Sequence, residues 1–107
     1  MVLFKPDHID MILAGTKTQT RRIWKQWHVK VGGIYAVQEV FCQPTKDCRA
    51  RIRVLRRWEE KLGNISESDA LAEGGYTLEQ YFQIIRQVNR KKVEMEQVVK
   101  CVEFEKV

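Results

Sequence analysis

Ile9, Ile12 and Leu13 recur at helical spacing just after Pro6-Asp7, and Gly15 follows the last of them by two residues. The pattern predicts a short helix that Asp7 caps and Gly15 ends. Thr16 to Arg22 then reads as a turn leading into an extended segment. Beyond the Gly32-Gly33 turn, Ile34 to Phe41 is rich in β-branched and aromatic residues and predicts a strand. Gln43 to Asp47, with Pro44, reads as a hairpin connection. Arg49 to Trp58 alternates: Ala50, Ile52 and Val54 face one way, and Arg49, Arg51, Arg53 and Arg57 the other, with Leu55 among them. That is a strand with one packed face and one arginine-rich face.

The second half reads more helical. Ser66-Glu67-Ser68-Asp69 has the form of a capping box with an acidic third position, and Gly74-Gly75 ends the short helix it starts. Thr77-Leu78-Glu79-Gln80 is a second capping box. After it, Leu78, Tyr81, Phe82, Ile85 and Val88 lie at amphipathic spacing, which assigns the two aromatics to the core. Gln97 to Val107 alternates around Val98, Val102 and Phe104 and reads as a closing strand. Strands separated by short helices predict an α+β fold, specifically a small mixed β-barrel with short helices packed around it.

A chain of 107 residues supports one domain with one modest core, so residues 1–107 are taken as a single unit. With 44% hydrophobic and 31% charged residues, a folded state is expected rather than disorder. No apolar run reaches the roughly 20 residues that span a bilayer. The start, Met1 to Asp7, lacks a signal peptide's long apolar stretch, so a cytoplasmic protein with no membrane partner is expected. Three cysteines form no tight pairing motif; Cys42 and Cys48 flank the hairpin and could meet across it. No metal-ligand spacing occurs, so neither a metal nor a cofactor is expected. A monomer is favoured.

Charge changes the picture more than composition does. Eleven of the Lys and Arg residues lie between Lys17 and Arg57, opposed only by Glu39 and Asp47. This stretch carries +9 and the rest of the chain −4. Such asymmetry favours an anionic partner, with RNA first; a solvated basic surface is the alternative. Trp24, Trp27 and Trp58 lie within or beside these stretches and suit core wedging better than base stacking.

The densest chemistry is in Gly15-Thr16-Lys17-Thr18-Gln19-Thr20-Arg21-Arg22, with three hydroxyls and three cations in eight residues. Three readings stand. The segment is an anion-binding loop; it is a solvated turn; or Lys17, with a pKa depressed by burial, acts as base for a Thr20 nucleophile. Lys17 and Thr20 would face opposite ways in a regular strand, so their cooperation requires irregular backbone between Gly15 and Thr20. Glu73 sits at a helix C-terminus, where a carboxylate opposes the macrodipole. The placement makes sense if Glu73 pairs with a cation, Lys17 or one of the two arginines.

Ile12 to Arg22, together with Gly32-x-Ile34-Tyr35-x-Val37 and Asp69-Ala70-x-x-Glu73-Gly74-Gly75-Tyr76-Thr77-Leu78-Glu79-Gln80-Tyr81, resembles the ASCH domains, small PUA-like β-barrel proteins. The resemblance covers nearly the whole chain. It implies RNA-related roles, and the expectation that follows is a cationic pocket for RNA or a modified nucleoside, with Lys17, Thr20 and Glu73 on its floor, Arg21, Arg22 and Arg53 guiding a phosphate or a ribose edge, and Thr18 and Tyr76 as further binding residues. One branch hydrolyses N4-acetylcytidine to cytidine and acetate. Its catalytic lysine, threonine and glutamate correspond to Lys17, Thr20 and Glu73. Other members are linked to RNA cleavage. The chain departs from that branch in a loop after Glu73 that is one residue longer and in the doubled Arg21-Arg22.

Overall fold

The computed structural model describes residues 2–39, 48–88 and 94–107. Its elements are β1 (Val2–Leu3), α1 (Pro6–Ala14), β2 (Gln19–Arg22), β3 (Ile34–Gln38), β4 (Ala50–Lys61), a 3-10 turn (Leu62–Asn64), α2 (Glu67–Gly74), α3 (Leu78–Val88) and β5 (Val98–Lys106). The strands form one curled sheet in the order β1-β3-β4-β5-β2, a half-barrel flanked by short helices. The α+β barrel-like expectation therefore holds. The hairpin connection of residues 43–47, the end of the predicted strand at Phe41 and the Cys42–Cys48 question lie outside the described residues.

Local signals explain most boundaries. α1 starts with Pro6 in its first turn, where a missing N–H costs nothing. The N-cap is Lys5, with no side-chain cap, so Asp7 contributes first-turn charge rather than the expected cap. Gly15 closes the helix in the left-handed region at φ 81°. Thr77 and Gln80 make the full reciprocal box: the Thr77 hydroxyl accepts from the Gln80 backbone N–H at 3.2 Å, and the Gln80 side-chain Oε1 accepts from the Thr77 backbone N–H at 3.0 Å.

The last strand differs from expectation. β5 does not close the sheet edge but lies inside it, antiparallel to β4 on one side and to β2 on the other. Val99, Lys100, Cys101 and Val102 are all buried, because apolar clusters cover both faces. One cluster gathers Phe4, Ile9, Ile12, Val37, Ile52 and Val54 with Val102 and Phe104. The other gathers Leu62, Ile65, Ala70 and Tyr81 with Val99 and Cys101.

β4 also runs past the predicted end at Trp58. A bulge at Leu55 places an extra residue between the pairs Val54↔Phe104 and Arg56↔Glu103. The bulge shifts the side-chain phase by one residue. Ile52 and Val54 point into the first cluster, whereas Trp58, opposite Cys101, and Glu60, opposite Val99, point to the second. Arg21 is also opposite Cys101, across the other edge of β5, so Glu60 and Arg21 share a face.

Candidate functional site

The loop between α1 and β2 is clamped from three sides. The N–H groups of Thr16 and Lys17 both donate to the Met11 carbonyl, at 2.9 and 3.2 Å. The Thr18 N–H donates to the Ala72 carbonyl at 2.7 Å, and the Thr18 carbonyl accepts from Phe104 at 2.9 Å. This is the irregular backbone that the Lys17–Thr20 spacing demands. Lys17 precedes the strand, Thr20 lies in it, and both line one cavity of about 440 Å³.

Lys17 is 3% exposed and reaches the C-terminal end of α2. Its Nζ donates to the Glu73 backbone carbonyl at 2.7 Å and to Glu73 Oε2 at 3.0 Å. The ammonium thus answers two problems of the helix end, an unpaired terminal carbonyl and a carboxylate set against the dipole. Burial pulls the Lys17 pKa below the usual lysine value, and Arg22 and Arg21 add to that pull. Glu73 opposes it through charge and hydrogen bonding.

Arg21 has a different task from the phosphate contact expected of it. It is 4% exposed and donates Nε and one terminal nitrogen to Glu60 Oε1, at 3.2 and 2.6 Å. The same terminal nitrogen reaches Asp69 at 3.2 Å. The other terminal nitrogen donates to Gln19 Oε1 at 3.0 Å and Glu73 Oε1 at 3.1 Å. All five guanidinium N–H groups are spent inside the protein, which leaves none for a phosphate. Asp69 is thereby diverted from the capping box. Ser66 still accepts from the Asp69 N–H at 3.1 Å, but the Asp69 carboxylate faces Arg21 and Gln19.

Arg22 stays at the cavity wall, half-buried. Its Nε donates to Thr20 Oγ1 at 3.0 Å and a terminal nitrogen to the Leu3 carbonyl at 2.7 Å. The guanidinium lies 4.6 Å from the Phe4 ring centroid. Arg22 therefore ties β2 to β1, the two edges of the curled sheet, across the cavity mouth. Thr20 accepts from Arg22 and keeps its own proton free to donate. Tyr76 and His8 sit at the rim, with the Tyr76 hydroxyl 3.3 Å from His8 Nε2. Burial, and then the nearby Lys17 charge, lower the His8 pKa.

Two expected binding residues lie elsewhere. Arg53 is exposed on the outer face of β4, opposite Glu105 and 3.2 Å from it, and does not line the cavity. Thr18 is half-buried and serves through its backbone. The arginine row itself is partly neutralised by acids from other elements. Arg56 pairs with Glu103 at 3.2 Å, and Arg49 pairs with Asp10 and Glu39. Arg57 donates to the Val29 carbonyl at 2.7 Å and covers Trp27. The +9 stretch is thus partly answered by the acidic remainder of the chain, a pairing that no local pattern reveals.

Sequence reasoning missed Gln19, Glu60 and Asp69, and it assigned Tyr81 to the core alone. Gln19 was visible only as the residue two before Arg21 on the same strand face. Tyr81 carried the one hydroxyl in an otherwise apolar helical stripe. Among the described residues no group of three or more His, Cys, Asp or Glu is placed to hold a metal ion. The three acids that do converge already surround the Arg21 guanidinium. No described helix is long and apolar enough to cross a membrane.

This arrangement, a curled sheet whose two edges flank a cavity at the end of a short helix, is the fold of an ASCH domain. The chain superposes on the crystal structure of an ASCH domain from Lactobacillus crispatus JV V101 with a TM-score of 0.76, at 16% identity, over 94% of this chain and 70% of that one. It also matches the protein EF3133 of Enterococcus faecalis V583, described as DUF984, with a TM-score of 0.66 and 22% identity. That match covers 92% of this chain, which spans only 65% of the Enterococcus protein. The hypothetical protein PH0355 matches with a TM-score of 0.74 and 17% identity, over 99% of this chain and 96% of that one. No protein-family model and no curated protein matches the sequence.

Proposed function

We propose that the cavity binds a modified nucleoside, free or presented by single-stranded RNA. The observation that carries this reading is the Lys17–Glu73 pair, buried together at 3.0 Å in a cavity of about 440 Å³. That volume falls in the range of small-molecule sites, roughly 300–1,000 Å³. The walls combine apolar side chains such as Phe4, Ile85 and Val99 with convergent polar groups, the mixture a base and its ribose require. A polyanion track along β4 is less well supported, since Arg53 and Arg56 are paired with acids and Arg57 is held by the Val29 carbonyl. An RNA partner would deliver its nucleoside by splaying the base out of the strand.

A second reading is hydrolysis of N4-acetylcytidine, favoured by the lowered pKa of Lys17 and by a Thr20 proton that Arg22 leaves free. In it the Lys17 amine takes the Thr20 proton as Thr20 Oγ1 adds to the acetyl carbonyl. The C–N bond then breaks, N4 takes a proton relayed by Glu73, and cytidine leaves. Water releases acetate from the acyl-threonine.

Calorimetric binding of cytidine and N4-acetylcytidine, with chromatography of released cytidine, tests both readings. If the site is catalytic, Thr20→Ser retains some turnover and Thr20→Val abolishes it. Lys17→Arg also abolishes it, because a guanidinium keeps its proton near neutral pH. If the site only binds, Thr20→Val costs about 1 kcal/mol of affinity, one hydrogen bond. Binding of neither nucleoside by the unmutated protein refutes both.

A further inference from the structure

Tyr81 is 3% exposed and lines the cavity, yet its hydroxyl has no hydrogen-bond partner among the described residues. Buried polar groups are almost always paired, so an orphan at a cavity wall calls for a partner that arrives with the ligand. The hydroxyl lies within the field of Glu73, Arg21 and Arg22, which line the polar end of the same cavity. Both Glu73 oxygens are already engaged, one by Lys17 and one by Arg21. What this end can still offer a ligand is donor capacity from Tyr81, Thr20, Lys17 and Arg22. Burial, and after it the Glu73 charge, raise the Tyr81 pKa, so the phenol keeps its proton and its ability to donate. Three cations, Lys17, Arg21 and Arg22, balance three carboxylates, Glu60, Asp69 and Glu73. A neutral acceptor oxygen suits that balance better than a phosphate does.

We propose that the Tyr81 hydroxyl is a specificity-determining donor that fixes a carbonyl oxygen of the ligand beside the charged residues of the cavity. It selects a planar, carbonyl-bearing base over the same base with a bare amino group at that place. The proposal rests on the nucleoside reading and deepens it by naming the group that is recognised. A donor facing an acceptor gains a hydrogen bond, whereas a donor facing the hydrogens of an amino group leaves both sides unpaired.

The test measures the affinities of N4-acetylcytidine and cytidine for the unmutated protein and for Tyr81→Phe. The variant keeps the ring and removes only the hydroxyl. The expected result is a preference for the acetylated nucleoside that falls by about three- to tenfold in the variant, the worth of one hydrogen bond. Cytidine affinity stays the same or rises, because its amino group no longer faces an unpaired donor, and the melting temperature does not fall, because the hydroxyl has no partner to lose among the described residues. A preference that survives in Tyr81→Phe overturns the Tyr81 proposal and leaves the nucleoside reading in place. Binding of neither nucleoside by the unmutated protein overturns that reading and this proposal with it. A carbon-13 label on the Tyr81 ring carbon that bears the hydroxyl gives a measurement free of folding defects. Its resonance should move with N4-acetylcytidine and stay still with cytidine, and equal shifts with both overturn the proposal.

Discussion

Glu73→Gln removes a negative charge while keeping the side chain's shape. Arg21 loses one of its bonds and keeps those to Glu60, Asp69 and Gln19, so its share of the cost is small. Lys17 is the group exposed to damage. At 3% exposure it cannot turn to water, and it keeps the residue-73 backbone carbonyl and at most a neutral amide oxygen in place of the carboxylate. Removing one partner of a buried ion pair costs about 3–5 kcal/mol, and the retained carbonyl bond argues for the lower end. A loss of about 3 kcal/mol is a large share of a domain's total stability and lowers the melting temperature by roughly 12–24 °C.

The unpaired charge causes that loss, so Lys17→Met added to Glu73→Gln should recover about 2 kcal/mol by removing the charge itself. The pH dependence has a definite sign. Without Glu73 the folded-state pKa of Lys17 falls further below its unfolded value of about 10.4. The unfolded chain then binds more protons between those two values, and stability rises with pH across that window. Measured from pH 6 to pH 10, the deficit of Glu73→Gln should therefore be greatest at the acid end and shrink as pH rises. Urea denaturation of the single and double variants across this range measures it. A deficit under 1 kcal/mol at pH 6, one that grows with pH, or a double variant no more stable than Glu73→Gln would refute the reasoning.

Gly15→Ala should destabilise by roughly 1 kcal/mol and lower the melting temperature by about 4–8 °C, because φ is 81° there and nothing crowds the new Cβ, so the whole cost is backbone conformation; an unchanged melting curve contradicts the left-handed cap. The Cys101 thiol is fully buried, and burial pushes its pKa up to about 12. Native protein at pH 8 should therefore leave Cys101 unalkylated by iodoacetamide while half-buried Cys48 reacts, as peptide mass spectrometry would show; rapid labelling of Cys101 counts against the double-sided burial of β5.

Signals that act over three or four residues were legible without the structure. A glycine that tolerates positive φ ended α1, the Thr77–Gln80 box started α3, and alternation marked the first part of β4, each because the cause lies within one turn or one strand. The pairing of Glu73 with a cation was legible for a similar reason, since a carboxylate at a helix C-terminus is anomalous on its own. Tertiary structure alone decided which cation. It gave Glu73 both Lys17 and Arg21, and it took Arg21 away from any phosphate by surrounding it with Glu60 and Asp69 from two other elements. The bulge at Leu55 shows why no reading of the chain supplied this. One extra residue reverses the face of everything after it, and its placement follows from the register against β5, some fifty residues away. Two-residue β1 escaped notice because so short a strand has no periodicity, only a partner in β3. Cavity, orphan Tyr81 hydroxyl and partly neutralised arginine row arise in the same way, from distances between residues that the chain keeps far apart.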